Sequence, residues 1–174
     1  MPKSSRKQID EDEKKVIRQL QINSKESIDE IAKKCGFSRQ KVWRIIKRLE
    51  KNKTIWGYHA IVDSEKLDKK SFIMLVKRSN KPIDDFMDKI IKESKAECVE
   101  EVGVDVHGTY YLHGYFDFLV IFSAKDIKEA KKFGETMNIQ YSGSMSEMHI
   151  IENIFPLKDC GMINPNIEKL REYF

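Results

Sequence analysis

The apolar positions of the chain change their period partway along it. Through residue 51 they recur at helical spacing, and from residue 71 they alternate or run together as strands do. Residues 38–51, SRQKVWRIIKRLEK, put Val42, Ile45, Ile46 and Leu49 on one stripe, at the i, i+3, i+4, i+7 positions of a core-facing helix side. The opposite side carries Gln40, Arg44, Lys47 and Lys51, flanked by Lys41 and Arg48 on one edge and Trp43 on the other. Two earlier stripes predict a helix over 10–23 with Val16, Ile17 and Leu20 inward, and one over 28–35 with Ile28, Ile31 and Ala32 inward. Gly36 between the second and third helices supplies a tight turn. Helix, turn and basic helix form the helix-turn-helix pattern, whose second helix enters the DNA major groove.

The helix starts differ in charge. Asp10-Glu11-Asp12-Glu13 and Ser27-Ile28-Asp29-Glu30 read as capping boxes with acids in the first turn. Ser38 is placed to cap the third helix, but Arg39-Gln40-Lys41 follows it, with Lys41 where a box calls for Glu. Cations there oppose the helix dipole by about 0.3–1 kcal/mol each, a penalty that a polyanion would reverse. The alternative is a solvated basic face on an ordinary helix.

Farther along, residues 53–63 contain Ile55, Trp56, Gly57, Tyr58, Ile61 and Val62, which suit extended structure: a wing, or a strand leaving the DNA-binding part. SEKLDKK at 64–70 is a polar linker. A strand over 71–78 follows, with Phe72, Met74 and Val76 alternating against Ile73 and Leu75. Next come a helix over 82–94 (Ile83, Phe86, Met87, Ile90, Ile91 inward), an extended stretch at 97–107 kinked at Gly103, and a strand over 109–113. Gly114-Tyr115 turns the chain into a strand over 116–123. A helix over 126–137 opens on an Asp126…Glu129 box, and a strand over 145–155 closes the series. The order β-α-β-β-α-β predicts a ferredoxin-like split βαβ sheet with helices on one face. Apolar residues on both faces of its strands predict dimerisation through the other. The fold class is thus α+β. The expected parts are a basic flexible arm (1–8), a helix-turn-helix domain with wing or linker strand (9–63), a linker (64–70), the βαββαβ domain (71–156) and a C-terminal extension with a short helix (157–174). Ile167, Leu170, Tyr173 and Phe174 form that last helix's apolar side.

Charge sharpens this picture. The net charge is +4, but residues 1–63 hold 16 Lys and Arg against 9 Asp and Glu, whereas residues 64–174 hold 16 against 19. A basic N-terminal part on an acidic remainder points to a polyanion-binding module joined to something else. The three cysteines, Cys35, Cys98 and Cys160, form no CxxC, and the four His lack zinc-ligand spacing, so reduced, mostly buried thiols and no metal or cofactor are expected. No secretory h-region or long apolar run is present, which predicts a cytoplasmic protein without membrane contact.

The segments IDEDEKKVIRQL, SIDEIAKKCGFSRQKVWRIIKRLEKNKTIWGYHAIVD and YLHGYFDFLVIF, with its Gly114-x-x-Asp117 turn, resemble the Lrp/AsnC, or feast/famine, transcription regulators over residues 9–155. The resemblance implies a sequence-specific regulator that binds double-stranded DNA as a dimer and assembles further into tetramers or octamers. Its second domain, of the RAM type, would bind an amino acid between subunits near the Gly-x-x-Asp turn. Ser38, Arg39, Gln40, Lys41, Trp43, Arg44 and Lys47 are the expected DNA-binding residues, with Gln40 and Arg44 reading bases and Arg39, Lys41 and Lys47 on phosphates. Gly114, Tyr115, Phe116 and Asp117 are the expected effector residues, in a turn crowded by Tyr110, Tyr111, Tyr115, Phe116 and Phe118. Two alternatives remain. Sirohaem decarboxylases share the two-domain plan, and an enzyme of that kind would set His113 and His149 across a pocket. The helix-turn-helix could instead serve protein contact alone.

Overall fold

A computed structural model describes residues 5–80, 84–93 and 103–174. The chain divides into two compact units. One combines Met1–Ile61 with Leu157–Phe174, and the other spans Val62–Pro156.

The first unit is built on α1 (Arg6–Ile22), α2 (Ile28–Cys35) and α3 (Arg39–Lys51). Val16, Ile31, Ala32, Val42, Ile45 and Leu49 are its buried core, with Ile17, Leu20, Ile28 and Ile46 packed around them. The start of α1 departs from expectation. The helix is capped five residues before the expected Asp10, at Ser5, whose hydroxyl accepts from the Gln8 N–H at 3.2 Å. Asp10 therefore lies inside the helix and forms no capping box, and Arg6–Gln8 are helical rather than part of an arm; residues 1–4 lie outside the described ones. The acids that resemble a first turn serve tertiary contacts instead: Asp12 and Glu13 face cations of α3.

At α2 the expected box forms in full. Ser27 Oγ accepts from the Glu30 N–H, and Glu30 Oε2 accepts from the Ser27 N–H at 2.9 Å. Gly36 ends the helix in the left-handed region at φ 69°, a conformation that favours glycine, and the Phe37 N–H bonds back to Ala32 O at 2.9 Å. Past α3, residues 56–63 join no strand ladder, and Trp56 is 94% exposed. The C-terminal extension holds more than the expected helix. Two short strands, β5 (Lys158–Asp159) and β6 (Met162–Ile163), pair antiparallel around Cys160-Gly161, both at positive φ, before a 3₁₀ helix over Ile167–Tyr173. Cys160 is exposed on that turn, contrary to a mostly buried set of thiols; Cys35 is half-buried and Cys98 lies outside the described residues.

The second unit is a four-stranded antiparallel sheet in the order β2-β3-β1-β4, formed by β1 (Lys70–Arg78), β2 (Asp105–Tyr111), β3 (Phe118–Ala124) and β4 (Met145–Asn153). The helices are α4 (Asp84–Glu93) and α5 (Ile127–Gln140). This is the βαββαβ arrangement, with the first and third strands central. Phe72 stands opposite Phe122, Met74 opposite Val120 and Val76 opposite Phe118, and all six are buried. Ala130 and Phe133 of α5 pack on that face, with Phe122 between Phe72 (5.5 Å) and Phe133 (5.0 Å). Ile73, Leu75, Leu119 and Ile121 alternate to the other face, where they are only half-buried, and Tyr110 and Ile151 there are 52% and 47% exposed.

Two details of this unit differ from the sequence expectation. The second strand begins at Asp105 rather than 109 and absorbs a bulge between Val106 and Gly108, with the expected kink falling at Gly103, φ 72°. At α5, Asp126 caps the Lys128 and Glu129 N–H groups, but the Glu129 carboxylate reaches one residue farther, to the Lys125 N–H at 3.1 Å. The expected α4 positions Pro82 and Ile83, the Phe86 side chain, and the stretch 97–102 lie outside what is described.

Candidate DNA-binding and effector sites

Ser38 stops α2's turn and starts α3, its hydroxyl accepting from the Lys41 N–H at 3.3 Å. No acid stands in the first turn of α3. Because Val42, Ile45 and Leu49 are pinned in the core, the rotation of the helix is set, and Arg39, Gln40, Trp43, Arg44 and Lys47 all point outward and are exposed. Trp43 is 52% exposed, so its indole stands on the outer side rather than in the core.

Not all the cations of this face are equally free. Arg39 Nη1 lies 2.9 Å from Asp29 Oδ2, and Lys47 Nζ lies 2.9 Å from Glu50 Oε2; both pairs are solvent-exposed, weak and readily exchanged for another anion. Gln40 and Arg44 make no hydrogen bond or ion pair among the described residues, which leaves a bidentate amide and a guanidinium presented to solvent one helical turn apart. Lys41 is different. Its ammonium sits 2.5 Å from Asp12 Oδ2 of α1 and 3.8 Å from the centre of the Phe37 ring. The Asp12 side chain is only 6% exposed and also accepts from Gln8 Nε2 at 3.1 Å. The Lys41 ammonium holds the Asp12 carboxyl below the usual carboxylate range, against the opposing effect of burial. One α1 residue on, Glu13 Oε1 accepts from Arg48 Nε at 2.6 Å. These two α1 acids are the residues that sequence reasoning missed. Their run beside Asp10 imitates a helix start, and nothing local marks them as partners of residues 29 and 35 positions away.

The second candidate site lies at the β2–β3 connection. The Leu112 N–H donates to Asp117 O at 2.7 Å and closes the turn. Gly114 is exposed and takes no positive φ, so access to the backbone, not conformational need, distinguishes it here. Asp117 is anchored to β1: its N–H donates to Val76 O at 2.9 Å, and its Oδ2 accepts from the Arg78 N–H at 2.8 Å. The Tyr115 hydroxyl donates to Glu147 at 3.1 Å, and Lys77 Nζ rests 3.8 Å from the centre of its ring. Phe116 packs edge-on between Tyr115 (5.0 Å) and His149 (5.4 Å). His149 Nε2 faces Glu147 at 3.7 Å, whereas His113 is exposed; no hydrogen bond joins the two histidines among the described residues. No group of three or more His, Cys, Asp or Glu among the described residues could hold a metal, and no described helix is long and apolar enough to cross a membrane.

Comparison with known proteins agrees with both units. Residues 9–55 match a family model described as winged helix-turn-helix DNA-binding. The leucine-responsive regulatory protein of Haemophilus influenzae is 28% identical over 147 residues, covering 82% of each chain. Among solved structures, an AsnC family transcriptional regulator from Agrobacterium tumefaciens superposes with a TM-score of 0.65 at 21% identity, over 85% of this chain and 92% of that one. The feast or famine regulatory protein from M. tuberculosis, complexed with L-methionine, gives 0.67 at 14% identity, over 87% and 95%. With an α3 whose outward Arg44 and Gln40 make no pairing among the described residues, a βαββαβ sheet after it in the sequence, and likeness to these regulators along most of the chain, the protein is similar to the Lrp/AsnC family of DNA-binding transcription regulators.

Proposed function

We propose that this regulator reads its operator with the outward face of α3, as a dimer or a higher even assembly. The observation that carries this reading is the pairing state of that face. Arg44 and Gln40 are exposed and uncommitted, which suits bidentate contact with guanine and adenine edges. Arg39 and Lys47, held only by exposed carboxylates, can exchange those partners for phosphates, and Ser38 and Trp43 border the same face. The half-buried sheet face of Ile73, Leu75, Leu119 and Ile121 favours a second copy of the same sheet as partner, and a symmetric dimer implies a two-fold symmetric operator with half-sites about 10 bp apart or a multiple of it.

Selection of genomic fragments on the purified protein, followed by binding to point-mutated sites, tests the assignment. Arg44→Ala is expected to reduce discrimination by about 1–3 kcal/mol at one position per half-site. Uniform weakening on all sequences would make Arg44 a phosphate contact instead.

An amino-acid effector fits the turn at Gly114, Tyr115, Phe116 and Asp117. Gly114 leaves backbone N–H groups open to a carboxylate. Asp117 Oδ1 makes no hydrogen bond among the described residues and can accept from an ammonium. The bound L-methionine belongs to the M. tuberculosis relative; for this chain the same ligand class is the proposal.

A further inference from the structure

One of the two cations in the first turn of the recognition helix is withheld by the fold. Lys41 stands at the third position of α3, where the helix dipole makes a cation unfavourable and an approaching phosphate would be welcome. Yet its ammonium is drawn back onto Asp12 of α1, at 2.5 Å, and onto the face of Phe37. Asp12 is 5% exposed and its Oδ1 is already engaged by Gln8, so the carboxylate is a built acceptor rather than a surface acid that happens to lie close. A buried carboxylate left without its cation is strongly unfavourable, which ties Lys41 to it far more firmly than Arg39 or Lys47 are tied to Asp29 and Glu50.

We propose that Asp12 is a positioning residue that sets the strength and salt dependence of DNA binding: by holding Lys41 it removes one sequence-blind phosphate contact from each recognition helix. The proposal rests on the reading of α3 as the DNA-binding helix. Phosphate contacts raise affinity for every duplex alike, and each contributes about 0.9 to the dependence of log affinity on log salt. A lysine withheld from phosphate therefore lowers the affinity for every duplex and its salt dependence by one contact, and leaves the ratio of specific to non-specific binding unchanged. The same pair fixes the rotation of α3 by joining its first turn to α1, so Asp12 acts on DNA through Lys41 and touches no nucleotide.

The test measures binding of the full-length protein to mixed-sequence duplex, from about 50 to about 200 mM salt. The variants are Asp12→Asn, which keeps an acceptor for Gln8 but releases the ammonium, Lys41→Gln, and the double variant. Across that salt range the affinity of Asp12→Asn is expected to fall roughly 3.5-fold further per recognition helix than that of wild type, as one added phosphate contact dictates. Lys41→Gln alone is expected to leave the wild-type salt dependence unchanged, and the double variant to return to it. This makes Lys41 the source of the change and separates it from any general loosening of the fold, which a thermal melt of each variant monitors. If Lys41→Gln alone flattens the salt dependence, Lys41 already contacts phosphate and the proposal is overturned. Equal salt dependence in Asp12→Asn and wild type overturns it as well. Absence of duplex binding by wild type would instead overturn the DNA-binding reading on which it stands.

Discussion

Replacing Leu49 with alanine separates what holds the recognition helix from what the helix reads. Leu49 is 1% exposed and lies in a core of six buried side chains shared among three short helices. Removing a buried leucine side chain loses its transfer free energy and leaves a cavity, typically about 2–5 kcal/mol together. Two features push this site to the middle of that range or above: the core is small, and Val42 and Ile45, its neighbours on the stripe, are branched and cannot extend into the gap. A unit of about 80 residues has a total stability of roughly 4–12 kcal/mol, so a loss of about 3 kcal/mol consumes a quarter or more of it. In a unit of that size the melting temperature is expected to fall by about 12–24 °C.

The chain provides its own reporter, because both tryptophans, Trp43 and Trp56, lie in this unit. Trp56 is almost fully exposed, so a Trp56→Phe background leaves Trp43, on the recognition helix itself, as the probe. Trp43 emission is expected to show the lowered transition, while the circular dichroism of the sheet unit melts where it did before. Below the new transition, operator affinity is expected to remain within a few-fold of wild type, since Leu49 points into the core, away from the face proposed to meet DNA. A shift under about 1 kcal/mol would refute the packing argument. A large loss of affinity with the unit still folded would place Leu49, or the helix rotation it enforces, in recognition.

The pH dependence of the first unit should carry Asp12's signature. Its folded value is depressed by Lys41, so its contribution is present above the ordinary carboxylate value and lost as pH falls through the lowered one; Asp12→Asn is expected to flatten the acid side of a stability-against-pH curve, and an unchanged acid limb would contradict the ion pair. If the proposed dimer forms through the open sheet face, Ile121→Asp, between Ile73 and Gly108 in the middle of that face, is expected to elute as a monomer on a sizing column where the wild type elutes as a dimer; unaltered elution would move the interface elsewhere. A thermal-shift screen over the twenty amino acids is expected to give a hit that Asp117→Asn abolishes. That variant keeps an acceptor for the Arg78 N–H while removing the charge, so a hit that survives it places the effector at another site.

Local signals and tertiary ones were not equally readable in the chain. The Ser27–Glu30 box, the Gly36 turn, the Ser38 cap and the alternation of Phe72, Met74 and Val76 depend on residues within a few positions of each other, and each appears where its spacing puts it. The start of α1 was misread because four consecutive acids meet the same local rule that a capping box does, while Ser5, the actual cap, sits in a basic stretch. Charge counting across the first 63 residues placed the polyanion-binding part but could not rank its cations. Lys41, Arg44 and Lys47 look alike on a helical wheel, and only the partner supplied by α1 distinguishes the first of them. Likewise, Gly114-x-x-Asp117 was visible as a turn, but the anchoring of Asp117 to the Arg78 N–H depends on a strand 39 residues earlier. Lys158–Ile163 escaped notice because two-residue strands are too short to show any period.

The first compact unit joins two segments far apart in the sequence: Met1–Ile61 is synthesised before the sheet unit and Leu157–Phe174 after it. Its three helices depend on near neighbours and can form early, whereas the sheet must wait until β4 is available to pair with β1, some seventy residues before it. Only after that does Leu157–Phe174 arrive. During synthesis, then, the three-helix module exists without these residues until the whole sheet unit has been made. A chain interrupted before residue 157 therefore carries α3 but an unfinished module, and completing that module has to follow the making of the sheet.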